Sequence, residues 1–241
     1  MFRLFRTSGH AAIGGANNFA CMIKSRKDYV SMNLGIVGIG AFAHEVYDIA
    51  AFQSDKWDKI FFIGDKLTQD VSYTNETFFK DPIAKNTEVL IALGEPVYRE
   101  KLNQLYTDHG VPLATLIDGR AVVSSHCTIL PGAIIFPFCY IAHHVTIGTN
   151  TAIHASAIVE NDCQIGSNCF ISLNSFIGSK SSISDNCFIG PNAALRDKIT
   201  VGANTIVGMG SVVIENCAEK SVYVGNPAKK IRENTKGTVF I

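Results

Sequence analysis

An aliphatic residue recurs every six positions from Ile117 to Val213. The series starts Ile117, Val123, Ile129, Ile135 and holds for seventeen consecutive positions, every one Ile or Val except Leu195. A helical period of about 3.6 cannot keep one face aligned at that spacing. A solenoid with six-residue sides can, and hexapeptide repeats are a signature of the parallel β-helix. Three sides make an eighteen-residue coil, so the series fills nearly six coils. Coils stack at the strand spacing of ~4.8 Å, each capping the next. Four positions after each aliphatic residue stands a mostly small one, including six of the seven cysteines. Such residues suit a tight inner corner, where Cys acts as a small hydrophobe. No zinc-type pairing of cysteines is present.

The pattern changes before Ile117. Leu34–Gly40 (LGIVGIG) reads as a buried strand ending in a glycine turn, and Ala41–Phe52 has helical spacing. Lys59–Asp65 and Glu88–Leu93 read as further strands, and Val97–Gly110 as a second helix. This alternation predicts a small parallel sheet. Gly38-Ile39-Gly40-Ala41-Phe42-Ala43 matches G-x-G-x-x-A between strand and helix, a turn that offers backbone N–H groups to a phosphate. The same glycines also serve a tight turn with no ligand. A dinucleotide dehydrogenase is the rival reading, although the unit is only half of a doubly wound domain.

Composition narrows the function classes. The 241-residue chain carries 21 basic and 21 acidic residues, so the balanced charge gives no sign of a nucleic-acid partner. No apolar run reaches the ~18 residues of a membrane span. Residues 1–31 hold five basic residues and one acid but lack the apolar stretch of a secretory signal. Residues 1–32 therefore read as an extension or as a start upstream of the functional one at Met32, with a targeting peptide as the other option. Without residues 1–31 the chain has 16 basic and 20 acidic residues, net −4. Unpaired cysteines fit a cytoplasmic location. The remaining divisions are an α/β unit over 33–116, a solenoid over 117–218 and a tail over 219–241.

A short nucleotide-binding-like α/β unit followed by a hexapeptide solenoid resembles the sialic acid O-acetyltransferase and bacillosamine-type sugar N-acetyltransferase family. The marks are the glycine turn at Gly38–Ala43, the strand end Phe62–Asp65, Ile91–Pro96 (IALGEP), the repeat, and Val224–Ile231 (VGNPAKKI). The resemblance implies a left-handed β-helix after a Rossmann-like unit, and a homotrimer with acetyl-CoA or another acyl-CoA between neighbouring solenoids. It places a nucleotide-linked amino sugar on the first unit at Gly38, Gly40, Ala41, Phe42, Asp65, Gly94 and Glu95. It places the acyl-CoA near Phe170, Gly178, Gly190 and Gly208. It implies direct attack of the sugar amine on the thioester, a backbone N–H for the oxyanion, no metal and no acyl-enzyme.

One departure bears on the chemistry. The family has I-E-H-[ED]-C where this chain reads Val159-Glu160-Asn161-Asp162-Cys163. The family's His is its general base, and an amide cannot take a proton usefully at neutral pH. Amino-sugar members carry Asn seven residues earlier, where this chain has His154. The expectation is a swapped pair in one cleft, with His154 as the base, Asn161 positioning the reacting groups and Asp162 retained. His143, one coil before Asn161, is the second candidate for the base, and a reaction without a protein base is the third. Loss of the usual His favours an amine over a hydroxyl acceptor. The alternatives are O-acetylation of a sialic-acid-like sugar and a non-catalytic member that binds sugar nucleotide or CoA. A γ-class carbonic anhydrase lacks support, because no two histidines stand five apart in the solenoid.

Overall fold

The computed structural model describes residues 32–53 and 56–239. The N-terminal extension and Cys21 lie outside the described residues.

Among the described residues, four strands, three α-helices and a short 3-10 turn at Pro82–Asn86 form the first unit. The strands and α-helices are β1 (Asn33–Val37), α1 (Ala41–Phe52), β2 (Ile60–Gly64), β3 (Val71–Thr74), α2 (Asn75–Lys80), β4 (Thr87–Ile91) and α3 (Pro96–Asp108). The sheet order is β3-β2-β1-β4, and every pair is parallel. Leu34, Ile36, Ile63 and Leu90 are fully buried, as near-continuous apolar strands covered on both faces must be. The sequence pattern does not reveal β3 and α2. Strand β3 is four residues long, and α2 starts with a Thr74–Thr77 capping box in place of the usual Glu or Gln at the third helical position.

From Leu116 to Val213 the chain makes two-residue strands, each ending on one of the repeating aliphatic residues. Strands eighteen residues apart pair in parallel register, for example Ala152↔Phe170 and Ile153↔Ile171. The result is a three-sided parallel solenoid of about six coils. At the corners, every sixth residue from Phe138 to Asn204 has a left-handed backbone, with φ between 53° and 63°. Six of those twelve residues are Asn, the non-glycine residue that enters this region most readily.

The small corner residues do more than fill space. Cys139 Sγ donates to His154 O at 3.1 Å, Cys163 to Gly178 O at 3.2 Å, and Cys169 to Ser184 O at 3.1 Å. Thr151 Oγ1 donates to Gly166 O at 2.7 Å and Ser181 Oγ to Arg196 O at 3.2 Å. Each donor reaches the carbonyl fifteen residues on, so Cys, Ser and Thr are interchangeable for one purpose: satisfying the next coil's backbone.

The three outer faces differ. One presents Thr128, Thr146, Gln164, Ser182 and Thr200, all polar. The second presents Val122, Tyr140, Ile158, Phe176, Ala194 and Val212, all apolar, with Val122 60 % and Tyr140 43 % exposed. The third presents Leu116, Ile134, Ala152, Phe170, Phe188 and Ile206, all buried. These last residues share a hydrophobic core with Leu34, Ile36, Ala43 and Val46 of the first unit. Residues 219–241 are no loose tail where they are described. Ser221–Gly225 extends the covered sheet beside Ile206–Val207, and Ala228–Glu233 folds back on it as a hairpin.

Arg99 of α3 joins the first unit to the solenoid. It is fully buried. Its guanidinium donates to Ile91 O at 2.6 Å, Leu93 O at 2.9 Å, and Asn150 O and Oδ1 at 2.5 and 2.9 Å. Asn150 Nδ2 returns a bond to Arg99 O at 3.0 Å.

Candidate active site

The glycine turn opens the site. Gly38 has φ +127°, and a Cβ there would lie 2.7 Å from Ala92 O, so the fold itself requires glycine. Gly40 is different: a Cβ would meet nothing within 4 Å. It is the N-cap of α1, with no side-chain cap and no acid in the first turn; Ala43 and His44 N–H return to Gly40 O, so the N–H groups of Ala41 and Phe42 are left for another acceptor. Gly38, Gly40 and Asp65 line a small pocket of about 170 Å³ with Asn75 and Leu102.

Gly40 and Leu93 also line a larger cavity of about 670 Å³ between the first unit and the covered solenoid face. Its walls include Ala41, Phe42, Glu45 and Gly94 from the first unit and His154, Phe170, Ser172, Leu173, Phe188, Gly208 and Met209 from the solenoid. The C-terminal segment adds Val222, Arg232 and Val239. The outward ladder Phe136, His154, Ser172, Gly190, Gly208 shrinks from an aromatic ring to a bare backbone along the solenoid, which leaves room for this space.

His154 stacks on Phe136 at 4.3 Å between centroids, 16° from parallel, with Phe42 at 5.7 Å and Phe170 at 5.9 Å. Its Nε2 lies 2.9 Å from Glu45 Oε2. Because a carboxylate only accepts, Nε2 carries the hydrogen, and the lone pair stays on Nδ1. Nδ1 is buried without a partner. Burial pushes the His154 pKa below the ordinary imidazole value, and the Glu45 hydrogen bond and charge offset this only in part.

Asn161, Asp162 and His143 lie elsewhere. They line a polar groove of about 540 Å³ with His144, Ser179, Lys180, Asp197 and Lys198. His143 N–H donates to Asn161 Oδ1 at 3.1 Å, the stacking expected one coil apart. Asp162 Oδ1 lies 3.3 Å from His144 Nδ1, not from a residue at position 161. Within one chain, then, His154 and Asn161 line different spaces. Seven residues carry the backbone past a whole six-residue side, so His154 follows a strand of the covered sheet and Asn161 a strand of the apolar sheet.

The remaining expected residues divide. Ala41, Phe42, Gly94, Phe170 and Gly208 meet at the large cavity. Gly178 and Gly190 line neither the cavity nor the groove; a Cβ would come within 2.5 Å of Asp197 Oδ1 or 2.6 Å of Met209 N, so coil stacking demands glycine there. Glu95 is buried and accepts from Val239 N at 2.6 Å, which fixes the C-terminal segment at the cavity wall. Sequence reasoning missed Glu45. Its only signal is the three-residue spacing from Phe42 on the face of α1 that meets the solenoid.

Among the described residues, the buried corner cysteines make poor nucleophiles. Burial pushes Cys139 and Cys217 up to about 11 and raises Cys163, so these thiols stay protonated. Among the described residues no His, Cys, Asp or Glu group is arranged to hold a metal, and no helix is long and apolar enough to cross a membrane.

The fold matches solved structures over most of the chain. The acetyltransferase domain of PglB from Neisseria gonorrhoeae is 23% identical with a TM-score of 0.79, covering 83% of this chain and 100% of that one. PerB from Caulobacter crescentus, in complex with CoA and GDP-perosamine, is 25% identical with a TM-score of 0.67, covering 83% and 97%. WeeI from Acinetobacter baumannii is 24% identical with a TM-score of 0.62, covering 83% and 100%. A comparison with curated proteins gives no match. The family model of the GMPPB C-terminal domain matches residues 117–238, beginning at the first aliphatic residue of the repeat and spanning just over half of the chain. The chain belongs to the GMPPB C-terminal domain family.

Proposed function

We propose that the protein is a sugar N-acyltransferase that moves an acyl group, acetyl in the simplest case, from acyl-CoA to the amino group of a nucleotide-linked amino-deoxy sugar. The observation that carries this reading is the Glu45–His154 pair in the wall of a largely apolar cavity whose edge is the Gly38–Gly40 turn. The likeness to PerB, which holds CoA and GDP-perosamine, supports it. The Ala41 and Phe42 N–H groups at the start of α1 and the small pocket at Asp65 suit the diphosphate and nucleoside. The amine attacks the thioester carbonyl, its proton passes to the Glu45–His154 pair, and CoA leaves as the thiol.

In this proposal the first unit is Rossmann-like, the solenoid is left-handed, and the protein acts as a homotrimer in the cytoplasm. The apolar face bearing Val122, Tyr140 and Phe176 is the surface that a second copy covers. The groove of Asn161, Asp162 and His143 then completes a neighbour's cavity, with acyl-CoA running past Phe170, Gly178, Gly190 and Gly208. A non-catalytic binding role is the second reading, favoured by Asn161 at the family's base position. Acceptor-dependent release of CoA thiol separates the two: an enzyme releases it only with the amino-sugar nucleotide present.

A further inference from the structure

We propose that Glu45, not His154, is the group that takes the proton from the acceptor, and that His154 is the positioning residue that holds its carboxylate. The proposal rests on the acyl-transfer reading above. His154 gives its Nε2–H to Glu45, and its only lone pair, on Nδ1, is sealed from the cavity. The imidazole is fixed between Phe136 and the rings of Phe42 and Phe170. Turning the ring over would surrender the bond to Glu45. A base must reach the proton it removes, and in this arrangement His154 presents no lone pair to a ligand.

Glu45 does present one. Its side chain is 50 % exposed against 10 % for His154, and it lines the cavity. Among the described residues His154 is its one hydrogen-bond partner, through Oε2, so Oε1 remains free to accept. Burial holds the His154 pKa below the ordinary imidazole value, so the neutral imidazole gives its Nε2 hydrogen to Glu45. The acceptor binds as the neutral amine. Its nitrogen bonds to the thioester carbon as the carbon–sulfur bond breaks, and the amine proton moves to Glu45 Oε1. The CoA thiolate takes that proton back, which restores the carboxylate and releases the thiol. His154 remains the same hydrogen-bond donor throughout.

The test is steady-state turnover of the full chain with acetyl-CoA and the amino-sugar nucleotide the wild type uses best. The variants are Glu45→Gln, Glu45→Ala and His154→Phe, the last of which keeps a ring on Phe136. The expected result is a loss of kcat of ~100-fold or more for both Glu45 variants, the scale of a general base. Their KM for acetyl-CoA stays within about threefold, for a His154→Phe loss of about tenfold. Added formate restores part of the Glu45→Ala rate and none of the His154→Phe rate, which a purely structural role for Glu45 does not produce. Glu45→Gln at near wild-type rate, or a His154→Phe loss as deep as that of Glu45→Ala without formate rescue, overturns the proposal. A wild type that turns over no donor–acceptor pair overturns the acyl-transfer reading, and the proposal falls with it.

Discussion

His143 and Asn161 stack one coil apart, and the amide oxygen of Asn161 accepts the backbone N–H of His143 at 3.1 Å. Position 161 is thus spent on holding the preceding coil's backbone. Asn161→Ala removes a positioning contact and no base, so a loss in kcat below about tenfold is expected, well short of the ~100-fold of a general base. Turnover of amino-sugar nucleotide by the purified variant checks this.

Arg99 supports the site from behind. Arg99→Met keeps the apolar stem but strands the carbonyls of Ile91, Leu93 and Asn150, and each buried orphan costs about 1–3 kcal/mol. The expected loss is roughly 3–5 kcal/mol in urea unfolding, the scale of breaking a buried charged network. Lys cannot replace it, since a single ammonium lacks the planar fork.

The state of His154 makes stability depend on pH with a definite sign. Its folded pKa lies below the unfolded value of ~6.5, so the unfolded chain binds more protons in that window. Its contribution is present above about pH 6.5 and is lost as pH falls from there through the folded pKa. Urea midpoints at pH 7 and pH 5 should fall further for wild type than for His154→Phe.

The corner thiols are donors inside the coils. In a Cys21→Ala background, half-buried Cys127 reacts with a thiol reagent in the native protein. Cys139, Cys163, Cys169, Cys187 and Cys217, all buried, react only on unfolding. Counting thiols with and without denaturant checks this.

The proposed trimer buries the apolar face between copies. Replacing Tyr140 and Phe176 together by Glu puts two charges on the exposed apolar face that this proposal assigns to a second copy. The expected result is a shift from trimer to monomer in sedimentation, with turnover lost along with it.

The repeat was legible because each aliphatic residue has one neighbour eighteen residues away, so the period in sequence is the period in space. The left-handed corners leave a mark as well, Asn at six of the twelve positions from Phe138 to Asn204, but that mark went unread beside the small residue that follows it. Strand β3 and helix α2 were not, being too short to show a period. Glu45 and Arg99 escaped for another reason. Their roles are set by partners 109 and 51 residues away, and nothing local to either residue records that distance. His154 stood out in sequence as a substitution, but only its ring contacts and its bond to Glu45 show which of its nitrogens is engaged.

The most direct measurement of the central claim is release of CoA thiol from acetyl-CoA with a panel of UDP-, dTDP- and GDP-linked 4-amino-4,6-dideoxy sugars, with the corresponding 4-hydroxy sugars alongside. Thiol release that requires one of the amino sugars, with a stoichiometric N-acetylated product, is the predicted result. Release that is equal with and without an acceptor, or none with any amino sugar and any acyl-CoA, would contradict it.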